Sequence, residues 1–329
     1  MAKYIYQYEN WTDFTWNETD INILFGEVRN LQGKISGQMN ALGFSSKEEA
    51  ALNTLTLDVV KSSEIEGEQL NYDQVRSSIA RRLGIESAGL TYASRNIEGV
   101  VDMTLDATQN YMHQLTNERL FGWHAALFPT GYSGLYQIEV GHYRNGEMQV
   151  VSGAMGKEKI HYEAVRAQDL QTEMNKFLEW INNNNSLDPV LKAAIAHFWF
   201  IIIHPFDDGN GRVARLITSL QLARATESRN CLYSLSAQLK KEKTSYYQML
   251  EQTQKGTLDI TEWLIWFLKT VKKAINNADK PLALTFKKAR FWEKQIGMAF
   301  NNRQIKMINR LIEGLPVNLN TSVWGNLCE

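Results

Sequence analysis

Twelve consecutive residues, His204-Pro-Phe-Asp-Asp-Gly-Asn-Gly-Arg-Val-Ala-Arg215, bring together an imidazole, two carboxylates, an asparagine between glycines, and two guanidinium groups. His204 has the side chain whose ordinary pKa suits a general base near neutral pH. Asp208 is an oxygen ligand of the kind magnesium takes alongside phosphate oxygens. Gly209 and Gly211 permit a tight turn with backbone N–H groups turned outward. Arg212 and Arg215 are three residues apart, so on a helix they share one face and can grip successive phosphates with forked donors. The chemistry this mixture suits is the binding of a polyphosphate beside a base that deprotonates an attacking group. Taken singly, each feature has a bland reading as a turn, a structural histidine or a solvated face. Their conjunction favours a site.

The elements that must position these groups are helical. Leu191 to Ile203 is a continuous apolar run that carries the chain into His204, and Pro205 breaks it. Arg212 to Leu220 resumes helical character. The turn therefore lies at a helix N-terminus, where free amides and the helix dipole favour an anion. Phe206, the aromatic member of the turn, is expected to anchor the loop in the core. Strand signals are few. The strongest is Gly141 to Val151, where Asn145-Gly146 predicts a hairpin turn. An isolated hairpin is marginal and must lie against the helical body.

A second helix ends in an acid. Ser46 and Glu49 form a capping-box pattern and Gly67 suits a C-terminal cap. Between them Leu52, Leu55 and Val59 recur at spacings of three and four, and the same rhythm continues to Ser62 and Glu66. A carboxylate thus falls at the foot of a buried stripe and requires a cationic or hydrogen-bonding partner.

The chain has 329 residues, 44% hydrophobic and 22% charged, with a net charge of -1. That is a foldable composition, and global charge gives no case for nucleic acid or membrane as the main partner. Cys231 and Cys328 are too few for a disulfide framework, which fits a reducing compartment. The N-terminal residues do not resemble a secretory signal, and the apolar runs are too short to span a bilayer. A cytoplasmic protein is expected. Residues 1–115 are expected to form an N-terminal helical region that includes the helix at about 46–67. Residues 116–276 hold the chemistry. Asn276 to Pro281 is expected to be a linker, and residues 282–329 a small C-terminal module.

The central segment matches, without a mismatch, the signature of the Fic (filamentation induced by cyclic AMP) family, His-Pro-Phe-x-Asp/Glu-Gly-Asn-Gly-Arg-x-x-Arg. Leu120 to Phe128 resembles that family's opening helix; Tyr246 to Gln254 and Asp259 to Trp263 resemble its closing helices. The resemblance implies a mainly α fold, a Fic-type helical core with a small β-hairpin flap. It implies a protein adenylyltransferase that uses ATP and Mg2+ to place AMP on a Tyr, Ser or Thr hydroxyl of a target protein. By the same resemblance, His204 is the catalytic base and Asp208 the magnesium ligand. Gly209, Asn210 and Gly211 hold the phosphates, and Arg212 and Arg215 neutralise the β- and γ-phosphates. Val213 and Ala214 fall within this nucleotide-binding stretch, Tyr246, Tyr247 and Gln254 flank the adenosine, and Val151, Ser152, Gly153 and Ala154 form the flap.

Ser62, Glu66 and Gly67 match the family's inhibitory pattern, Ser/Thr-x-x-x-Glu-Gly/Asn. The implied role of Glu66 is to pair with Arg215 and misalign ATP. The C-terminal residues, with eight Lys/Arg against three acids from Lys280 onward, resemble the start of a winged-helix module. A helical appendage with a basic face explains them equally well. The stretch ends before a recognition helix and wing, so DNA insertion is not expected. A homodimer is compatible with the resemblance alone. Two alternatives stay open: AMP removal or another nucleotidyl or phosphoryl transfer by the same site, and a DNA-associated regulator.

Overall fold

The computed structural model describes residues 3–40, 44–85, 91–152, 159–183, 186–230, 232–295 and 298–313. These form twelve α-helices and two small antiparallel strand pairs, a mainly α architecture as expected. In chain order they are α1 (Glu18–Asn40), α2 (Phe44–Ile65), α3 (Tyr72–Leu83), α4 (Arg95–Gln109) and α5 (Asn117–Leu127). Strands β1 (Tyr132–Ser133), β2 (Tyr136–Gln137), β3 (Gln149–Ser152) and β4 (Lys159–Glu163) follow. The rest is helical: α6 (Leu170–Asn183), α7 (Pro189–Ile203), α8 (Asn210–Thr226), α9 (Leu235–Lys241), α10 (Lys243–Gln254), α11 (Thr261–Lys294) and α12 (Asn302–Glu313).

The core is built around α7. Asp188 caps it by accepting from Val190 N, and Pro189 occupies the first turn, where its missing N–H costs nothing. Every residue from Val190 to Ile203 is buried. A helix apolar on all sides must be surrounded, and α6, α8 and α11 pack around this one. Its main partner, α8, runs back from the motif turn, so the turn joins the two central helices. The aromatic N-terminal segment lies on the same body. Trp11 and Phe14 meet Trp199 edge-on, and Tyr4 meets Tyr162. Thr15 makes a parallel bridge to Asp259.

Helix α2 packs against α3 and α9 and touches α8. Leu52, Leu55 and Val59 are almost wholly buried, as their spacing requires. Gly67 adopts φ +89°, the left-handed geometry glycine supplies most readily. Among the described residues no helix is long and apolar enough to cross a membrane.

Two local expectations fail. Asn145-Gly146 is not the turn of the hairpin. The paired strands are β3 and β4, with Val150 opposite Tyr162 and a bulge before Val151, so their connection falls at residues 153–158. The 145–146 bend instead wraps the Arg144 side chain, which donates to Gly146 O at 2.6 Å. A tertiary contact has overridden a local turn preference. Asn276 to Pro281 is not a linker either, since α11 runs through it without a break. One proline removes a single helical hydrogen bond, and a long helix can continue past that loss. Helix α12 lies within the expected C-terminal module, and residues 314–329 lie outside the described residues.

Candidate active site

The motif turn is shaped from within. Asn210 accepts from Phe206 N at 3.0 Å and donates to Phe206 O at 2.7 Å. Both polar atoms of its side chain are engaged, so Asn210 fixes the loop rather than facing a ligand. Phe206 is fully buried and stacks on His124 with ring centroids 4.2 Å apart. Gly209 has φ +80°, and a Cβ there would meet Leu127 Cδ2 at 2.7 Å. The glycine is thus required by backbone conformation and by packing. Val213 and Ala214 point into the core, both 0% exposed.

His204 ends α7 with φ 52°, an uncommon geometry for a residue with a Cβ. Its Nδ1 lies 3.2 Å from Ile201 O. A carbonyl can only accept, so Nδ1 carries the proton and Nε2 presents a lone pair. Burial lowers the imidazole pKa to about 4, and the nearby Arg144 charge acts in the same direction. His204 is therefore neutral at physiological pH and able to accept a proton at Nε2.

Sequence reasoning missed the group that holds this turn. Arg144 donates through Nε to His204 O at 2.9 Å and through Nη2 to Val165 O, while its backbone N–H donates to Pro205 O. His124 adds a second support. Its Nδ1 accepts from Gly141 N, which leaves Nε2–H to donate to Asp208 O at 3.2 Å. These partners lie 60 or more residues from the motif, and local spacing carries no sign of them.

Asp208 stands at the lip, its side chain 45% exposed. Its Oδ1 accepts from Gly209 N at 2.6 Å and its Oδ2 from Ser133 Oγ. Among the described residues no group of three or more His, Cys, Asp or Glu could hold a metal ion. A lone accessible carboxylate nevertheless fits magnesium, which takes one or two carboxylates and fills its shell with phosphate oxygens and water.

The arginines are buried, Arg212 4% and Arg215 3% exposed. Arg215 meets the end of α2: Nε donates to Ser62 Oγ at 2.8 Å, and Nη2 to Ser62 O at 3.1 Å and Glu66 Oε1 at 2.6 Å. The carboxylate expected at the foot of the buried stripe has its cation. It also lies on the first turn of α8, since a Cβ on Gly211 would sit 2.5 Å from Glu66 Oε1. Among the described residues, Arg212 Nε and Arg215 Nη1 are buried without a hydrogen-bond partner. Both guanidinium groups thus keep donors at the helix N-terminus that the carboxylates beside them leave unfilled.

The remaining expected residues are placed unevenly. Tyr246 is buried, with its hydroxyl 2.7 Å from His197 Nε2. Tyr247 is exposed beside it. Gln254 is buried at the end of α10. Val151 is exposed on β3; the Ser152 side chain, Gly153 and Ala154 lie outside the described residues.

A neutral histidine, a carboxylate and two buried arginines thus meet around one helix N-terminus of a helical body. Two segments of the chain match known family models. Residues 114–222 match the Fic/DOC family, and residues 4–85 match a domain of unknown function, DUF4172. The chain carries a Fic domain. A protein adenylyltransferase Fic of Drosophila grimshawi is 38% identical over 92 residues, 27% of this chain and 18% of that protein. A protein adenylyltransferase of Caenorhabditis elegans is 38% identical over 63 residues, 18% of this chain and 12% of that one. The matched segments thus span less than a fifth of those relatives' length. A Fic family protein from Desulfovibrio desulfuricans shares the fold with TM-score 0.61 and 22% identity, over 92% of this chain and 86% of that one. A Fic-domain signaling protein from Bacteroides thetaiotaomicron does so with TM-score 0.54 and 21% identity, over 83% and 97%.

Proposed function

We propose that this chain transfers AMP from ATP to a Tyr, Ser or Thr hydroxyl of a protein substrate, and that Glu66 restrains the reaction by occupying Arg215. The observation that carries this reading is the juxtaposition of a neutral imidazole, free at Nε2, with two buried arginines at the N-terminus of α8. Phosphate transfer depends on positioning and charge neutralisation more than on covalent help from the protein. The substrate hydroxyl attacks the α-phosphorus, its proton passes to His204 Nε2, and the bond from the α-phosphorus to the bridging oxygen breaks. Pyrophosphate leaves toward Arg212 and Arg215. A magnesium ion held by Asp208 would supply charge neutralisation across the α- and β-phosphates. Strand β3 pairs only with β4 among the described residues. Its open edge suits an extended target segment, whose backbone pairing would set the hydroxyl in place.

In this reading the structure is the restrained state. The Glu66 carboxylate sits on the helix turn that a phosphate needs, and Arg215 is already neutralised. The test is transfer of labelled AMP by three proteins. Glu66→Gly should exceed wild type by about tenfold to a hundredfold, the effect of releasing an ion pair that is buried on its arginine side. His204→Ala should lose transfer yet still bind ATP. Equal transfer by wild type and Glu66→Gly removes the restraint, and transfer by His204→Ala removes the base. If the same site instead removes AMP from a modified protein, with Glu66 orienting water, Glu66→Gly should abolish the reaction.

A further inference from the structure

Helix α2 ends in a two-bond cap. Gly67 N donates to Glu64 O at 3.2 Å, and Glu68 N donates back to Ser63 O at 3.1 Å. The left-handed glycine folds the chain back on the helix end. It leaves Glu66 and Glu68 on either side of a single turn. Glu66 takes Arg215. Glu68 takes the other motif arginine, with Arg212 Nη1 2.8 Å from Glu68 Oε1.

The second contact differs in quality from the first. Glu66 lies in aligned hydrogen-bond geometry with Arg215. Glu68 is only a close charge for Arg212. Among the described residues Arg212 Nε, Arg212 Nη1 and Glu68 Oε2 are all buried with no hydrogen-bond partner. Asp208 is next nearest, 3.9 Å from Arg212 Nη2. Arg212 is held by a carboxylate that neutralises it without satisfying its donors. A phosphate, with more oxygens on a tetrahedral frame, can do both.

From this geometry we infer that Glu68 is a second anionic stopper, seated on Arg212, that sets the affinity of the site for nucleotide phosphate. The inference rests on the adenylyl-transfer reading and adds to it a residue outside the inhibitory pattern. The two acids have separable duties. Glu66 opposes the phosphate that Arg215 receives; Glu68 opposes the one that Arg212 receives. With Arg212 on the β-phosphate, Glu68 resists ADP as well as ATP and is indifferent to AMP. Gly67 couples the two, because one left-handed residue aims both carboxylates.

Calorimetric titration with ATP, ADP and AMP tests this on the full chain as wild type, Glu68→Gln, Glu68→Ala and Glu66→Gly. Glu68→Gln preserves shape and removes charge. It should tighten ADP and ATP binding by about threefold to tenfold, the range for one partly exposed ion pair next to a buried cation, and leave AMP binding unchanged. Glu68→Ala should do the same, which separates loss of charge from an effect of the amide. If Glu66→Gly transfers AMP while both Glu68 variants bind ADP like wild type, the second stopper is overturned and the transfer reading stands. If no variant binds any adenine nucleotide, the transfer reading falls, and this inference with it.

Discussion

The guanidinium of Arg144 holds the backbone carbonyl of His204 at 2.9 Å across 60 residues of chain. Together with the Arg144 backbone bond to Pro205 O, it fixes a histidine whose left-handed backbone costs roughly 1–3 kcal/mol. A planar fork is needed, because Nε, Nη1 and Nη2 each serve a different carbonyl. Arg144→Met should lower kcat for the proposed AMP transfer by about tenfold to a hundredfold, since an imidazole about 1 Å out of place loses that much. ATP affinity should stay close to wild type. Arg144→Lys should not restore the rate. An unchanged kcat in Arg144→Met would show that His204 is held by other means.

Acid should unfold this protein through its interior histidines. Burial lowers His124 to about 4, His197 to about 3 and His204 to about 4. The unfolded chain binds protons near pH 6.5, so it takes them up before the native state does. The stability contributed by the neutral rings is complete above about pH 6.5 and is lost progressively as pH falls toward 4 and 3. By pH 5 each group should cost about 1–2 kcal/mol. Urea midpoints should therefore be flat from pH 8 to 7 and decline steeply from 6 to 5. A midpoint that holds steady down to pH 5 contradicts the burial of these rings.

Much of the site was readable because its signals are local. The run from Leu191 to Ile203, the break at Pro205 and the restart at Arg212 specify two helices and the turn between them, and α7 and α8 follow. The rhythm from Leu52 to Glu66 implied a cation, and Arg215 supplies it. What escaped was set by distance in sequence. Arg144, His124, Ser133 and Glu68 reach the motif only once the fold exists, and each has an ordinary sequence neighbourhood. The reverse error also occurred. Asn145-Gly146 is a strong turn signal, yet the carbonyls around Arg144 claim that bend. Pro281 marks a helix end by rule, yet α11 continues past it.

Gly211 provides a test of the restrained state that needs no activity measurement. A methyl group there would meet Glu66 Oε1 at 2.5 Å and Arg215 Nη1 at 3.2 Å. Both atoms belong to side-chain ends pinned by each other, so neither can yield without loosening the pair. Gly211→Ala should lower Tm by about 1–2 °C, as expected for a loss of roughly 1 kcal/mol in a chain of 329 residues. In a Glu66→Gly background the nearest obstacle is gone, and the same substitution should be close to neutral. Thermal denaturation of the four proteins in that cycle gives the coupling directly. Equal losses in both backgrounds would mean that Glu66 does not occupy the α8 turn in solution.

The end of α2 is held from outside as well as by its own cap. Lys240 Nζ donates to Glu64 O at 2.6 Å, and Lys243 Nζ donates to Ile65 O. Two ammonium groups on the last carbonyls satisfy acceptors left over by the helix and suit the negative end of its dipole. Further up, buried Asp58 accepts from Ser234 Oγ at 2.7 Å and Ser236 N at 3.0 Å, tying α2 to the start of α9. These contacts stand between the body of the protein and the position of Glu66. Replacing both lysines by Met should leave the fold intact and let the helix end drift, raising basal AMP transfer by about threefold to tenfold, the effect of losing roughly 1 kcal/mol of restraint. In a Glu66→Gly background there is no restraint left to loosen, so the same double substitution should change transfer little. A matching rise in both backgrounds would place the lysines in the reaction itself, and no rise in the first would mean that the cap at Gly67 suffices alone.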